Sequence, residues 1–389
     1  MIDGLGGEAR VAYFAGTMRP GHDGVTRVLY RLIDGLAERD VPSIFFSPIV
    51  PSPGESRVPI HHVPSFQFPL YKDYRVAYPG VRHFEETLRR FRPDVIHINS
   101  PCSLGYAAAW YGKRHGIPVV ATYHTHFPSY ARYYKIKPLE ILGWNYLRGL
   151  YNGFCSRVFV PSEPILTELA GQGMRNLRYL PHGVDSVSFH PRFRSPEWKA
   201  RLGIAGRSAV LFAGRLVWEK DLATLAEAYR ILRRRRDDVA FVLVGDGPVR
   251  KDLEALMPGA MFLGHQSGEQ LSTTFASSDV FAFPSTTETF GNVTVEAMAS
   301  GLVPVCAREG GAYGVVRERQ TGLITRPRDP EHLADAIGYL LDHPGERARM
   351  ADQALEFARR LSWENIFDRL FEEYRCLVAD RGNRRKRAA

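Results

Sequence analysis

The sequence predicts an α/β chain of two domains, each built around a parallel sheet. The chain has 389 residues, beyond the roughly 250 to 300 at which a single core usually stops growing. Short β-branched or apolar runs alternate with longer stretches of helical periodicity, the pattern of parallel strands joined by helices. That alternation restarts past the middle of the chain. In the first half the runs are RVAYFAG (10–16), DVIHINS (94–100), PVVATYH (118–124) and RVFVPS (157–162). In the second they are SAVLFAGR from Ser208, VAFVLVGD (239–246), DVFAFPS (279–285) and VPVCA (303–307). Between the halves, HPRFRSPEWKARLGIAGR (190–207) is polar and punctuated by Pro191 and Pro196, which reads as a linker. The boundary is placed near 195, giving domains over 1–195 and 196–360. From Leu361 to Asp380, Trp363, Ile366, Phe367, Leu370, Phe371 and Tyr374 recur at helical spacing, so a last helix must bury that face. Residues 381–389 read as a basic, disordered tail.

Composition narrows the function classes. A hydrophobic fraction of 44% and a charged fraction of 24% are those of an ordinary globular chain. No apolar run reaches the roughly 18 residues that would span a bilayer. The opening MIDGLGGEAR has no basic segment followed by an apolar stretch, so a cytoplasmic location is expected. Cys102, Cys155, Cys306 and Cys376 are far apart and lack metal-ligand spacing, which argues against a disulfide framework and a zinc site. The net charge of +9 suits a negative partner, whether nucleic acid, anionic lipid or phosphorylated substrate. Part of it lies in Arg233 to Arg236, where cations closing a helix complement its dipole, and part in Arg381 to Arg387. A nucleic-acid binder would need a basic stripe with base-stacking aromatics, and here the charge is scattered. Neither half carries G-x-G-x-x-G after its first strand, which lowers the case for a dehydrogenase.

Ligands of parallel sheets bind beyond the carboxyl ends of the strands, so two such domains facing each other would share a cleft lined by strand ends. Strand VLFAG ends in Gly214-Arg215, and Lys220 follows just before a helix opening at Asp221. An Arg fork and a Lys point charge suit a diphosphate. Alternatively, both are loop residues paired with Glu219 or Asp221. The stretch Ser285 to Gly301 holds Glu288 and Glu296, with seven residues between them. From Thr289 through Ala307, Glu296 is the only side chain charged at neutral pH. A helix so free of charge is expected to be buried, and its carboxylate then needs donors such as ligand hydroxyls or a cation. Internal hydrogen bonds are the other way to satisfy it. Glu288 falls in the loop before that helix, where the backbone N–H groups of Phe290, Gly291 and Asn292 can receive an anion. Glu288 as a plain capping residue stays open. In the first half, the loop from Ala15 to Val25 contains Gly16, Gly21 and Gly24, which let backbone approach a ligand, although such turns start many helices. His124 ends strand PVVATYH, where it is either structural or in contact with substrate.

Taken together, Gly214-Arg215-Leu216-Val217 through Glu219-Lys220, Val244-Gly245-Asp246-Gly247-Pro248, and the Glu288/Glu296 segment ending Glu296-Ala297-Met298-Ala299-Ser300-Gly301 resemble the retaining GT-B glycosyltransferases. Pro181-His182-Gly183-Val184-Asp185 and Ser362-Trp363-Glu364 look like that family too, and the match covers nearly the whole chain. The resemblance implies two Rossmann-like domains, an acceptor on the first, a nucleotide diphosphate sugar on the second, and a last helix crossing back. It implies that Arg215 and Lys220 hold the diphosphate, Glu296 the ribose hydroxyls and Glu288 the donor sugar. Phe290, Gly291 and Asn292 would contact sugar and phosphate through backbone, with Gly214 beside them. Gly245 and His265 would lie near the base, Gly24 near the phosphates, and His124 would be the active-site histidine. Tyr123 to Tyr134, with Gly24-Val25-Thr26-Arg27, looks most like the branch of GDP-mannose-dependent α-mannosyltransferases and sulfoquinovosyl- or glycosyl-diacylglycerol synthases. That branch implies a GDP- or UDP-linked donor and a lipid acceptor. Ser129 to Tyr151 mixes aromatic, aliphatic and basic residues, as a surface in peripheral contact with an anionic membrane would; an ordinary packed helix with a polar face is the alternative. Cys306 stands where relatives usually have a small residue without a thiol.

The reaction implied is hexose transfer with retention. Arg215, Lys220 and the helix N-terminus would stabilise charge on the leaving diphosphate. No second carboxylate is placed as a nucleophile, so a front-face route without metal is expected. A soluble acceptor, a phosphorylase or nucleotide-sugar epimerase, and a non-enzymatic nucleotide-sugar binding subunit are the competing readings.

Overall fold

The computed structural model describes residues 9–20, 24–52, 54–67, 75–78, 80–126, 128 and 137–388, with side chains through 383. The chain divides into two compact units, one of Met1–Pro181 with Trp363–Ala389, the other of His182–Ser362.

The first unit runs β1 (Val11–Phe14), α1 (Gly24–Glu38), β2 (Ser43–Ser47), β3 (Ile60–His62), β4 (Ser65–Gln67), β5 (Arg75–Ala77), α2 (Glu85–Phe91), β6 (Val95–Ile98), α3 (Ser103–Arg114), β7 (Val119–Thr122), α4 (Lys137–Phe154), β8 (Arg157–Val160), α5 (Glu163–Gly171) and β9 (Leu177–Tyr179). Its main sheet has seven strands in the order β3-β2-β1-β6-β7-β8-β9. Every pairing in it is parallel. The inner strands are buried on both faces, which is why they read as largely apolar runs. β4 and β5 form a separate antiparallel pair.

The second unit runs α6 (Pro196–Arg201), β10 (Ser208–Ala213), α7 (Leu222–Arg235), β11 (Val239–Val244), α8 (Arg250–Leu256), β12 (Met261–Gly264), α9 (Gly268–Ser277), β13 (Val280–Phe283), α10 (Asn292–Ala299), β14 (Val303–Ala307), β15 (Leu323–Thr325), α11 (Pro330–Asp342) and α12 (Pro344–Arg359). Its six strands lie in the order β12-β11-β10-β13-β14-β15, again all parallel. With the first strand at the middle, this is the doubly wound dinucleotide-binding order.

The stretch read as a linker is folded. Pro191 and Pro196 open a 3-10 turn and α6, positions where a missing N–H costs nothing. Trp198 is buried, and Lys199 Nζ pairs with Asp279 Oδ2 at 2.6 Å. The chain divides at Pro181/His182, upstream of the expected 195, because these contacts belong to the second unit. The basic run Arg233 to Arg236 does close α7. Arg235 pairs with Glu331 and Asp335 of α11, and Arg236 with Asp238 and Asp342. Arg235 and Arg236 are thus each matched by two carboxylates within the unit.

The last helix, α13 (Trp363–Ala388), returns to the first unit. It continues past Asp380, so the basic tail expected to be disordered is helical through Ala388. Ile366, Phe367, Leu370, Phe371 and Tyr374 are buried, as their spacing requires. A buried polar chain fixes the register. Tyr374 Oη lies 2.5 Å from His97 Nδ1 and 3.2 Å from Tyr13 Oη, and His97 Nε2 lies 2.7 Å from Thr122 Oγ1. Burial lowers the His97 pKa to about 3, so the ring is neutral at physiological pH.

Replacing Tyr374 by Phe should therefore destabilise the first unit by about 1–3 kcal/mol, because two buried partners lose their bond. Urea unfolding followed on that unit measures it, and an unchanged midpoint would contradict the network. An unfolded histidine gains its proton near pH 6.5, whereas His97 in the fold does so near 3. Stability present above pH 6.5 is then lost as pH falls, by up to about 1.4 kcal/mol per pH unit. The imidazole NMR resonances of His97 should stay those of a neutral ring down to about pH 5; titration near the ordinary value would overturn the assignment.

Candidate functional site

In the second sheet the strand order reverses between β10 and β13, so the loops after these neighbours diverge and leave a crevice at their carboxyl ends. The sequence places its cations on one loop and a carboxylate on the other. After β10, Leu216 and Val217 are buried and anchor the turn, with Leu216 N–H donating to Asp246 O at 2.9 Å. Lys220 closes a 3-10 turn that hands over to α7 through Asp221 at φ 56°. Lys220 Nζ forms an ion pair with Glu288 Oε1 of the loop after β13. Ser285 Oγ donates to the same oxygen at 3.2 Å. Arg215 Nη2 donates to Glu219 Oε1 at 3.2 Å, the local pairing held open for it, yet its side chain is 59% exposed. Thr287 Oγ1 ties the two loops by donating to Glu219 O at 3.2 Å.

Glycines let these loops close on each other. Gly245, after β11, sits at φ +124°, and a Cβ there would fall 2.0 Å from Gly214 O. Gly310, after β14, has φ +72° and lies against Thr286 O, where a Cβ would approach to 2.8 Å. Beside it, Gly311 N–H donates to Glu288 O at 2.6 Å. Neither Gly310-Gly311 nor Ser285 was singled out from sequence; a Gly-Gly pair beyond strand VPVCA was the available signal.

α10 begins at Asn292 behind Gly291, which has φ +80° and makes no side-chain cap bond, while Thr294 N–H turns back to Gly291 O at 2.9 Å. It ends at Ala299, before Gly301, as its sequence boundaries indicate. Glu296 is buried at 9% exposure on this helix, and no acidic residue occupies its first turn. Phe290 is buried. Cys306, on β14, is buried near Thr294 and its thiol pKa is pushed up to about 12 by burial, which makes it packing rather than a nucleophile. A residue not assigned individually from sequence joins the helix: His182 Nδ1 donates to Asn292 Oδ1 at 2.9 Å, and its ring packs on Phe290 with centroids 5.0 Å apart. Burial lowers the His182 pKa to about 4, the bond to Asn292 opposing this. Its signal was the Pro181 to Asp185 motif.

The structure thus brings Gly214, Arg215, Lys220, Gly245, Glu288, Phe290, Gly291, Asn292 and Glu296 to the carboxyl end of one sheet or the helix beginning there. His265 follows β12 and is exposed, two strands away from the reversal. In the first unit, His124 follows β7 and its Nε2 lies 3.2 Å from Asn99 Oδ1, just beyond β6. Gly24 opens α1 after the β1 loop; residues 21–23 of that loop lie outside the described residues. β1 and β6 are the strands flanking the order reversal of this sheet, so Asn99, and His124 with it, stand beside its crevice. Among the described residues no group of three or more His, Cys, Asp or Glu is disposed to hold a metal ion.

The family described as Glycosyl transferases group 1 matches residues 194–357, and Glycosyltransferase Family 4 matches residues 22–187. A GDP-mannose-dependent alpha-mannosyltransferase of Corynebacterium glutamicum is 32% identical over 380 residues, 95% of this chain and 89% of that protein. One from Mycobacterium tuberculosis is 33% identical over 388 residues, 98% and 99% of the two chains. A sulfoquinovosyl transferase of Arabidopsis thaliana is 36% identical over 77% of this chain and 60% of its own length. Among solved structures, Anabaena HepE in complex with UDP superposes with a TM-score of 0.77 at 20% identity, covering 94% of this chain and 99% of that one. The chain belongs to the group 1 glycosyltransferases and has their GT-B fold of two Rossmann-like domains.

Substituting Gly245 by Ala should strain this site directly. The new Cβ meets backbone at Gly214, so we expect a loss of roughly 1–3 kcal/mol in the second unit. Denaturant unfolding of that unit checks it; wild-type stability would contradict the packing.

Proposed function

We propose that this enzyme transfers mannose from GDP-mannose to a hydroxyl of a lipid or glycolipid acceptor, with retention of anomeric configuration. The observation that carries the reading is the Lys220–Glu288 pair across the strand-order reversal, with Arg215 exposed beside it. The full-length likeness to GDP-mannose-dependent relatives favours mannose over a UDP-linked hexose.

In this reading the donor diphosphate takes Lys220 and Arg215 as its counter-ions, and backbone N–H groups at the start of α10 add donors. Glu288, relieved of Lys220, accepts from sugar hydroxyls, and Glu296 from the ribose. The acceptor oxygen attacks the anomeric carbon as the bond to the β-phosphate oxygen breaks. The acceptor proton passes to that leaving oxygen on the same face. Negative charge growing on the diphosphate is stabilised by the two cations without a metal. Gly214 and Gly245 let backbone approach the nucleotide, His265 serves the base end, and His124 and Gly24 are the first domain's contribution.

The acceptor class is supported by α4. Leu139, Leu142 and Tyr146 recur at i, i+3 and i+7 with Ile141 beside them, and all four are exposed. Lys137 and Arg148 on the same helix are exposed as well. An apolar stripe flanked by cations suits peripheral contact with an anionic bilayer. Residues 129–136 of the expected interfacial stretch lie outside the described residues. Among the described residues no helix is long and apolar enough to cross a membrane.

Melting in the presence of GDP, UDP and ADP separates the donors, since bound nucleotide stabilises the fold by mass action. GDP should give the largest upward shift, and no shift with any of them would remove the assignment. Lys220→Gln or Glu288→Gln should lower mannose transfer by about a hundredfold or more while the fold persists. Replacing Leu139 and Leu142 by Ser should reduce cosedimentation with vesicles containing phosphatidylglycerol; undiminished binding would rule out this face.

A further inference from the structure

Asn292 faces two ways. With His182 Nδ1 protonated, Asn292 Oδ1 accepts from it at 2.9 Å, and the Nδ2 end, with two N–H donors, is turned away from the imidazole. Without that bond the amide could equally present its oxygen, which would repel a phosphate or sugar oxygen at the start of α10. His182 is suited to hold it. The ring is buried against Phe290, and the segment carrying it is braced immediately after it in sequence. Val184 N–H donates to Leu361 O at 2.7 Å, and Val184 bridges Ser362 in parallel. Asp185 Oδ1 then accepts from Val187 and Ser188 N–H, each at 3.1 Å.

We propose that His182 is a positioning residue for the donor: it locks the Asn292 amide so that Nδ2 donates to an oxygen of the donor's sugar-phosphate. This rests on the nucleotide-sugar reading of the same site. His182 itself touches no reacting atom.

The test is calorimetric binding of GDP-mannose to the full chain, with slow release of GDP to water as a kinetic companion. His182→Phe, which fills the same space without a donor, should weaken binding about tenfold, the loss of one oriented hydrogen bond. The KM for hydrolysis should rise with it while kcat changes less. His182→Gln, whose amide can still donate, should recover most of the affinity. Asn292→Asp keeps an acceptor for His182 but turns an oxygen anion outward, so it should weaken binding at least as much with an unaltered melting temperature. Wild-type affinity in His182→Phe, or equal losses in the Phe and Gln variants, would overturn the positioning role alone. Failure of the wild-type chain to bind GDP-mannose or UDP-glucose would bring down the donor reading and this inference with it.

Discussion

The reversal of strand order between β10 and β13 is the constraint on which the site depends. Connections from the two central strands of a doubly wound sheet leave towards opposite sides, and no element fills the gap between them. A polar crevice is therefore built by topology before any particular side chain is chosen. The chain places two cations on one lip and a carboxylate on the other. The pairing of Lys220 with Glu288 joins segments 68 residues apart in sequence.

That pairing also bears on how the site carries its positive charge. A half-buried charge such as that of Lys220 is costly unless matched, and Glu288 matches it within the unit. In the proposed reading a diphosphate would exchange one set of counter-ions for another, so binding need not desolvate a bare charge. The carboxylate freed from Lys220 would then become an acceptor for the hydroxyls of the proposed sugar. The supporting glycines belong to the same logic: Gly245 and Gly310 occupy backbone conformations that keep neighbouring loops within hydrogen-bond reach.

Much of this was legible because burial leaves a mark on sequence. The inner strands appear as largely apolar runs, and the charge-free stretch around Glu296 marks a helix that is in fact buried. The edge strands β3, β9 and β15 were not legible: each has only three residues, with side chains such as His61, His62 and Arg178 among them. α6 was hidden because Pro191 and Pro196 look like linker punctuation when they are first residues of helical turns; the apolar Trp198 was the contrary signal. Nor does sequence reveal long-range partners. Glu219 could be named for Arg215 because it is four residues away, whereas the partner of Lys220 and the bond from His182 to Asn292 exist only once the sheet has formed.

The most direct test of the central claim is a crystal structure of the chain with GDP-mannose. The account places the diphosphate beside Arg215 and Lys220 with the Lys220–Glu288 pair parted, Glu288 on sugar hydroxyls and Glu296 on the ribose. A nucleotide bound elsewhere, with that ion pair still closed, would contradict it.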